Sequence, residues 1–210
     1  MLRSAAVAAL LALTAVQAHA TAITDPVGDF IPSFAGAQTP DRDVVSASAD
    51  LVNGNFIFRG SFNGAAGSTA GTVYVFGVNR GQGTARFGAI APNVLFDSVV
   101  IVTPNVSTVV RGLLTGEGTT TLAADATSLS GNSLSVAFAS SLLPGTGFTP
   151  DQYTVNLWPR SGLGNNNQIA NFAPDNGNFG VSVPEPASLA LLGFGMAGLL
   201  GVRRGRPSRA

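Results

Sequence analysis

The feature of this sequence that most restricts its fold is a series of short segments in which apolar and polar residues alternate. In the segment NFIFRGSF, Phe56, Phe58 and Phe62 fall on one face of an extended strand, while Ile57 and Arg59 fall on the other. Period-two alternation is typical of β-strands with one buried face. The pattern recurs in SVVIVT, STVVRGLL, SLSVAFAS and YTVNLW, so about eight or nine short strands are expected.

Turn-forming pairs separate these strands. Asn53-Gly54 stands between two alternating segments, and both residues accept the positive φ that a two-residue hairpin needs. Gly131-Asn132 predicts a second hairpin. TVYVFGVN is apolar on both faces, as in a strand at the centre of a sheet. Residues 21–181 therefore predict an all-β fold, an antiparallel β-sandwich of the jelly-roll type.

The composition excludes several classes of function. The chain contains no cysteine and no lysine, so disulfides, thiolate metal sites, cysteine nucleophiles and lysine-based chemistry are absent. Between residues 21 and 183, six arginines stand against nine aspartates and one glutamate. An acidic body does not suit the phosphate backbone, so nucleic acid is not an expected partner.

The first twenty residues predict a secretory signal peptide. Arg3 precedes a short apolar run, which ends at Ala18-His19-Ala20. Small residues at Ala18 and Ala20 suit signal peptidase, and cleavage is expected after Ala20. The alternative, an uncleaved anchor, agrees less well with the short run. Because cleavage would remove the one histidine, neither a Ser-His-Asp triad nor a His-ligated metal is expected in the exported chain.

Residues 182–210 combine three features in order. Pro184-Glu185-Pro186 comes first, a run of sixteen almost wholly apolar or small residues follows at 187–202, and an arginine cluster occupies 203–209. The arginines are Arg203, Arg204, Arg206 and Arg209. As a helix the run would span about 24 Å against a hydrocarbon core of roughly 30 Å. A single transmembrane helix is predicted, with the arginines cytoplasmic and the body outside; a buried globular helix is the alternative.

This tail closely resembles the PEP-CTERM sorting signal of Gram-negative bacteria. The resemblance implies that exosortase, a membrane-embedded enzyme, recognises Pro184, Glu185 and Pro186. It also implies an inner-membrane intermediate with the body in the periplasm, and then delivery to the cell surface or to an exopolysaccharide matrix. Such a tail is also described as the ice-binding protein C-terminal domain, a label that refers to the tail and implies no ice binding.

Three short motifs mark the body. It opens with Asp-Pro-x-Gly-Asp at 25–29, continues with Asp-x-Asp at 41–43 and closes with Ala-Pro-Asp-x-Gly at 173–177. In this order the motifs resemble those of the DOMON-like and family-nine carbohydrate-binding-module sandwiches. The axial Met or His ligands of the haem-binding members have no counterpart in the exported body.

Four aspartates are candidates for a metal site. Asp25, Asp29, Asp41 and Asp43 fall within 19 residues, and an Asn-rich segment predicted to be a loop lies at 162–177. Ca²⁺ prefers carboxylate and carbonyl oxygens, so a structural Ca²⁺ site is one interpretation. Aspartates that cap turns in solvent are the other. No further cofactor is expected.

Trp158 is the only tryptophan and a candidate ligand-binding residue. On an alternating strand it lies opposite Val155 and Leu157, which could expose its ring for stacking on a sugar, with Arg160 beside it. The alternative is a core tryptophan that follows a break in strand register before Pro159.

These observations predict an exported, non-catalytic protein of the cell surface or extracellular matrix, with a structural or adhesive β-sandwich. A carbohydrate-binding module that recognises exopolysaccharide is the first alternative. A glycoside hydrolase is a remote one, because paired carboxylates are needed and Glu117 is the body's single glutamate.

Overall fold

The computed structural model describes residues 22–184, in which alternating segments form strands and no α-helix occurs. The strands are β1 (Ile23–Thr24), β2 (Val44–Val52), β3 (Asn55–Phe62), β4 (Val73–Asn79), β5 (Thr84–Ala85), β6 (Leu95–Phe96), β7 (Ser98–Thr103), β8 (Ser107–Gly112), β9 (Thr119–Thr121), β10 (Thr127–Ser130), β11 (Ser133–Ala139), β12 (Thr154–Arg160) and β13 (Phe179–Gly180). Short 3-10 helices occupy Pro40–Arg42, Ala124–Ala126, Ser140–Leu142, Pro150–Gln152 and Asn166–Gln168. The predicted signal peptide and transmembrane helix lie outside the described residues.

The strands form two main sheets. One has five strands in the order β1-β2-β3-β11-β10, and the other has six in the order β13-β12-β4-β7-β8-β9, while β5 and β6 pair separately. Every ladder between these strands is antiparallel. More strands form than the alternation predicts, because β1, β5, β6 and β13 span two residues each and are too short to show a period.

An apolar core joins the two sheets face to face. In β3, Phe56, Phe58 and Phe62 all point inward and are buried, as the alternation predicts. Phe58 packs on Phe76 of the opposite sheet with ring centroids 5.4 Å apart, and Phe62 packs on Tyr74 at 4.4 Å. Burying one such ring contributes about 1.5–3 kcal/mol. The prediction of an all-β, antiparallel sandwich is confirmed.

The predicted hairpins form at both turn pairs. Asn53 and Gly54 connect β2 to β3 with φ of 50° and 75°, both in the left-handed region that this tight turn requires. Gly131 connects β10 to β11 with φ of 56°. These turns set the register of β3 and therefore decide which face carries the phenylalanines.

A second apolar cluster covers the outer face of the six-stranded sheet. Two segments, 87–96 (which ends in β6) and 169–172, lie over this face and supply aromatic and aliphatic side chains. The buried members are Val73, Val75, Phe87, Ala91, Val94, Phe96, Val99, Trp158, Ile169 and Phe172. The central strand β4 is consequently buried on both faces, as its sequence predicts. The buried members of both clusters lie between residues 44 and 181, so we expect residues 22–184 to fold without the tail.

Trp158 lies in this outer cluster and is 2% exposed. Its ring contacts Phe87 and Phe96 with centroids 5.1 and 5.0 Å away. Strand parity does place it opposite Leu157, but the covering loops remove its ring from solvent, so the hypothesis of an exposed sugar platform is wrong. The register of β12 on β4 continues through Pro159, and no register break is needed to bury the tryptophan.

Replacing Gly77 with alanine is expected to destabilise the protein by about 1–3 kcal/mol. A Cβ at Gly77 would lie 2.2 Å from Cη2 of Trp158, so the indole or the strand must move. Urea unfolding followed by the fluorescence of the single tryptophan measures the change. Gly180→Ala is the matched control, because a Cβ on that strand glycine meets no atom within 4 Å. Equal midpoints for the two variants would contradict the packing described here.

The last described residues connect the two sheets. After β13, the Val181 N–H donates to the Tyr153 carbonyl at 2.9 Å in the six-stranded sheet. The Ser182 N–H then donates to the Ala49 carbonyl at 2.9 Å, and the Leu51 N–H donates to the Ser182 carbonyl at 2.8 Å, both in the five-stranded sheet. The sandwich thus ends two residues before Pro184. Among residues 22–184, no helix has the length and apolar character needed to cross a membrane.

Candidate functional site

The four N-terminal aspartates do not form a single group. Asp41 accepts hydrogen bonds from Thr39 Oγ1 at 2.6 Å and from the N–H and Oγ1 of Thr69 at 2.9 and 2.7 Å. Burial opposes its charge, but these hydrogen bonds outweigh burial and lower the pKa of Asp41. Asp43 accepts the Gly28 N–H at 3.0 Å through both oxygens. These two carboxylates hold neighbouring turns in place.

Asp25 and Asp29 instead converge on Asp175, from the far end of the body. One carboxylate oxygen from each residue lies within 4.8 Å of the others. Asn171 joins them, because its Nδ2 donates to Asp29 Oδ1 at 2.5 Å. The predicted grouping with Asp41 and Asp43 is therefore replaced by a cluster of three aspartates and one asparagine, which we call the acidic cluster.

Backbone contacts between two distant segments create the acidic cluster. The Asp25 N–H donates to the Val45 carbonyl at 2.9 Å and fixes the residue beside β2. The Ile31 N–H donates to the Ala170 carbonyl at 2.8 Å, which holds the N-terminal segment against the 169–177 loop. That loop is fixed in turn by Asn156 of β12, whose Nδ2 donates to the Pro174 carbonyl at 2.7 Å.

The electrostatics of the acidic cluster are unbalanced. No ion pair with an arginine involves its aspartates within the described part of the chain. Burial, followed by the charges of Asp29 and Asp175, raises the pKa of Asp25 to about 7. Burial and the charge of Asp175 also raise the pKa of Asp29. The cluster is thus a site at which positive charge is favoured.

Sequence reasoning missed two members of this cluster. Asp175 entered the sequence analysis only as part of the Ala-Pro-Asp-x-Gly motif, and Asn171 only as part of an Asn-rich loop. Asn171 lies 142 residues from Asp29, and no local spacing brings two such residues together. The available signal was that both acidic motifs, at 25–29 and 173–177, flank the same β-sandwich.

A second group of charges lies elsewhere, and in it an arginine pairs with both acids. Arg80 is fully buried and donates from Nε to Asp97 Oδ1 and from a terminal nitrogen to Glu117 Oε2, both at 2.8 Å. Asp97, also fully buried, accepts the Gln82 N–H at 3.0 Å and the Thr146 hydroxyl at 2.8 Å. The Arg80 contact lowers the pKa of Glu117. We interpret this group as structural, because it ties four loops together.

Arg160, the other candidate for sugar binding, is engaged within its own loop. Its Nε donates to the Gly162 carbonyl at 2.9 Å and a terminal nitrogen donates to the Asn165 carbonyl at 2.6 Å. Burial lowers its pKa. Together with the burial of Trp158, this leaves no exposed Trp–Arg platform at the predicted position.

Comparison with known proteins concerns the tail. A family model described as the PEP-CTERM protein-sorting motif matches residues 182–205. The chain carries a PEP-CTERM sorting motif. The match includes Pro184, Glu185 and Pro186 and the arginines Arg203 and Arg204, as the sequence predicts. No curated protein and no solved structure matches the chain, so the resemblance of the body to carbohydrate-binding sandwiches is unsupported.

The PEP-CTERM motif identifies the route that the protein takes. It implies export, with sorting to the cell surface by way of the membrane, and exosortase as the processing partner. The matched region begins at Ser182, which is still hydrogen-bonded to the sandwich. The matched region and the sandwich therefore share Ser182.

Proposed function

We propose that the body is a non-catalytic β-sandwich with a structural or adhesive role at the cell surface or in the extracellular matrix. The PEP-CTERM motif, which begins where the sandwich ends, is the observation that carries this proposal. The composition supports it, because residues 22–184 contain no histidine, cysteine or lysine to serve as a nucleophile or a base. The buried Arg80 and Asp97 are engaged in hydrogen bonds within the fold.

A role as a selective carbohydrate-binding module has less support. Sugar recognition commonly uses the exposed face of an aromatic ring, but Trp158 is buried. Phe148, at 39%, is the most exposed aromatic side chain in the described region. We therefore expect contacts with polysaccharide that are weak and spread over the surface.

A binding screen tests this proposal. It applies the body, residues 21–184, to a glycan array and to exopolysaccharide from the producing bacterium. We expect broad retention on the polymer, with dissociation constants above about 1 mM for any single oligosaccharide. Tight binding to one glycan class would replace the proposal with the carbohydrate-binding module. Release of reducing sugar would replace it with the hydrolase.

A further inference from the structure

The acidic cluster contains buried oxygens that no group in the described chain satisfies. Asp25 Oδ2, Asp29 Oδ2 and Asn171 Oδ1 are inaccessible to solvent and have no hydrogen-bond partner. Asp25 is 8% exposed and Asn171 is 0% exposed. Native proteins satisfy the great majority of buried polar atoms, and an unpaired buried carboxylate is strongly unfavourable. Asp25 Oδ2 and Asp29 Oδ2 both belong to the acidic cluster, and their lack of a donor indicates a missing partner there.

Asn171 offers a further oxygen to the acidic cluster. Its side-chain amide lies directly against Asp29, yet its carbonyl oxygen is buried without a donor. The oxygen and nitrogen of an amide exchange positions when its terminal torsion turns by about 180°. That turn would direct Oδ1 at the acidic cluster, where it adds a fourth oxygen ligand for a cation.

We infer that Asp25, Asp29, Asp175 and Asn171 bind one divalent cation, and that the cation is Ca²⁺. All four side chains offer oxygen, which hard cations prefer, and the body has no cysteine or histidine for Zn²⁺. Ca²⁺ holds oxygens at about 2.3–2.6 Å, so two ligands on opposite sides of one ion lie about 4.6–5.2 Å apart. The observed spacing, within 4.8 Å, suits a single shell of this size.

The irregular setting favours Ca²⁺ over Mg²⁺. Mg²⁺ demands near-octahedral geometry at about 2.0–2.1 Å, whereas Ca²⁺ accepts six to eight ligands in flexible arrangements. The ligands here come from two loops, and Asp175 is exposed, which leaves room for water to complete the shell. The ion would fasten the N-terminal segment to the sandwich, where β1 forms a ladder of only two residues.

Thermal unfolding of residues 21–184 tests this inference. The inference goes beyond the proposed function, because a calcium site does not depend on binding to a glycan. The protein is stripped with EDTA and then titrated with CaCl₂. Extracellular calcium modules have dissociation constants of about 10⁻⁴–10⁻³ M, so the titration extends to about 10 mM. At a ten- to hundredfold excess of ligand we expect the melting temperature to rise by about 3–10 °C. Calorimetric titration is expected to give one ion per chain.

Two variants keep the test decisive. Asp29→Asn removes one negative charge from the acidic cluster, so without calcium it should melt at or above the temperature of the parent, and the shift with CaCl₂ should be lost. Asp125→Asn, at an exposed aspartate outside the cluster, should keep the full shift. Equal melting of the parent in EDTA and in CaCl₂, or a full shift in Asp29→Asn, would overturn the site. An equal shift with MgCl₂ would overturn its assignment to Ca²⁺. The full chain in detergent should repeat the parent's response.

Discussion

Replacing Glu185 with alanine is expected to leave the precursor in the inner membrane and to remove nearly all of it from the cell surface. Glu185 is the one charged residue of the Pro-Glu-Pro motif, which lies inside the region matched by the sorting family. The neighbouring prolines favour an extended backbone, and we expect the processing enzyme to recognise the carboxylate between them. Cell fractionation with detection of the body in each fraction measures the outcome.

Two controls separate a sorting defect from a folding defect. Asp125→Ala removes an exposed carboxylate from the body and should be delivered normally. The Glu185→Ala protein should also keep the protease resistance of the parent, because the buried members of both apolar clusters lie between residues 44 and 181. Normal surface delivery of Glu185→Ala would contradict the sorting role of the motif.

Replacing Asp97 with alanine is expected to reduce the free energy of unfolding by about 3–5 kcal/mol. The change removes the fully buried one of the two carboxylates that pair with Arg80, and it leaves the Thr146 hydroxyl without its carboxylate acceptor and the Gln82 N–H without one of its acceptors. Since natural domains are stable by about 5–15 kcal/mol, roughly a fifth or more of the total would be lost. Urea unfolding monitored through Trp158 gives the value.

The contrasting variant is Arg59→Gln. Arg59 pairs with Asp50, whose side chain is 5% exposed, but the Arg59 side chain itself is 41% exposed and glutamine keeps an N–H donor at this position. We expect a change within about 1 kcal/mol. If Asp97→Ala were as mild as Arg59→Gln, the buried network would not be the stabilising element that its geometry indicates.

The sequence predicts the parts of this fold that have a repeating pattern. Phe56, Phe58 and Phe62 alternate over eight residues, and Asn53-Gly54 places a turn beside them, so β3 and its hairpin follow directly. Strands of two residues have no period to detect. The outer layer was also unpredictable, because the segment from Phe87 to Phe96 shows no regular alternation of apolar and polar residues.

The candidate sites were also only partly predictable, because local sequence patterns do not show which distant residues meet. Proximity in sequence grouped Asp41 with Asp25, but the topology places Asp25 beside Asp175 instead. Arg80 follows an apolar strand directly, and its burial depends on two acids that lie 17 and 37 residues further along the chain. Such partners are set by how the sheets stack, which local patterns do not report.

The chain passes from the six-stranded sheet to the five-stranded sheet between Val181 and Ser182, and this connection has a mechanical consequence. While the tail is attached, tension on it enters the sandwich through Pro184 and reaches the hydrogen bonds of Ser182 to Ala49 and Leu51 first. The next bond, from Val181 to Tyr153, belongs to the other sheet. The load is therefore divided between both sheets within two residues, and neither sheet has to peel away from its partner to bear it alone.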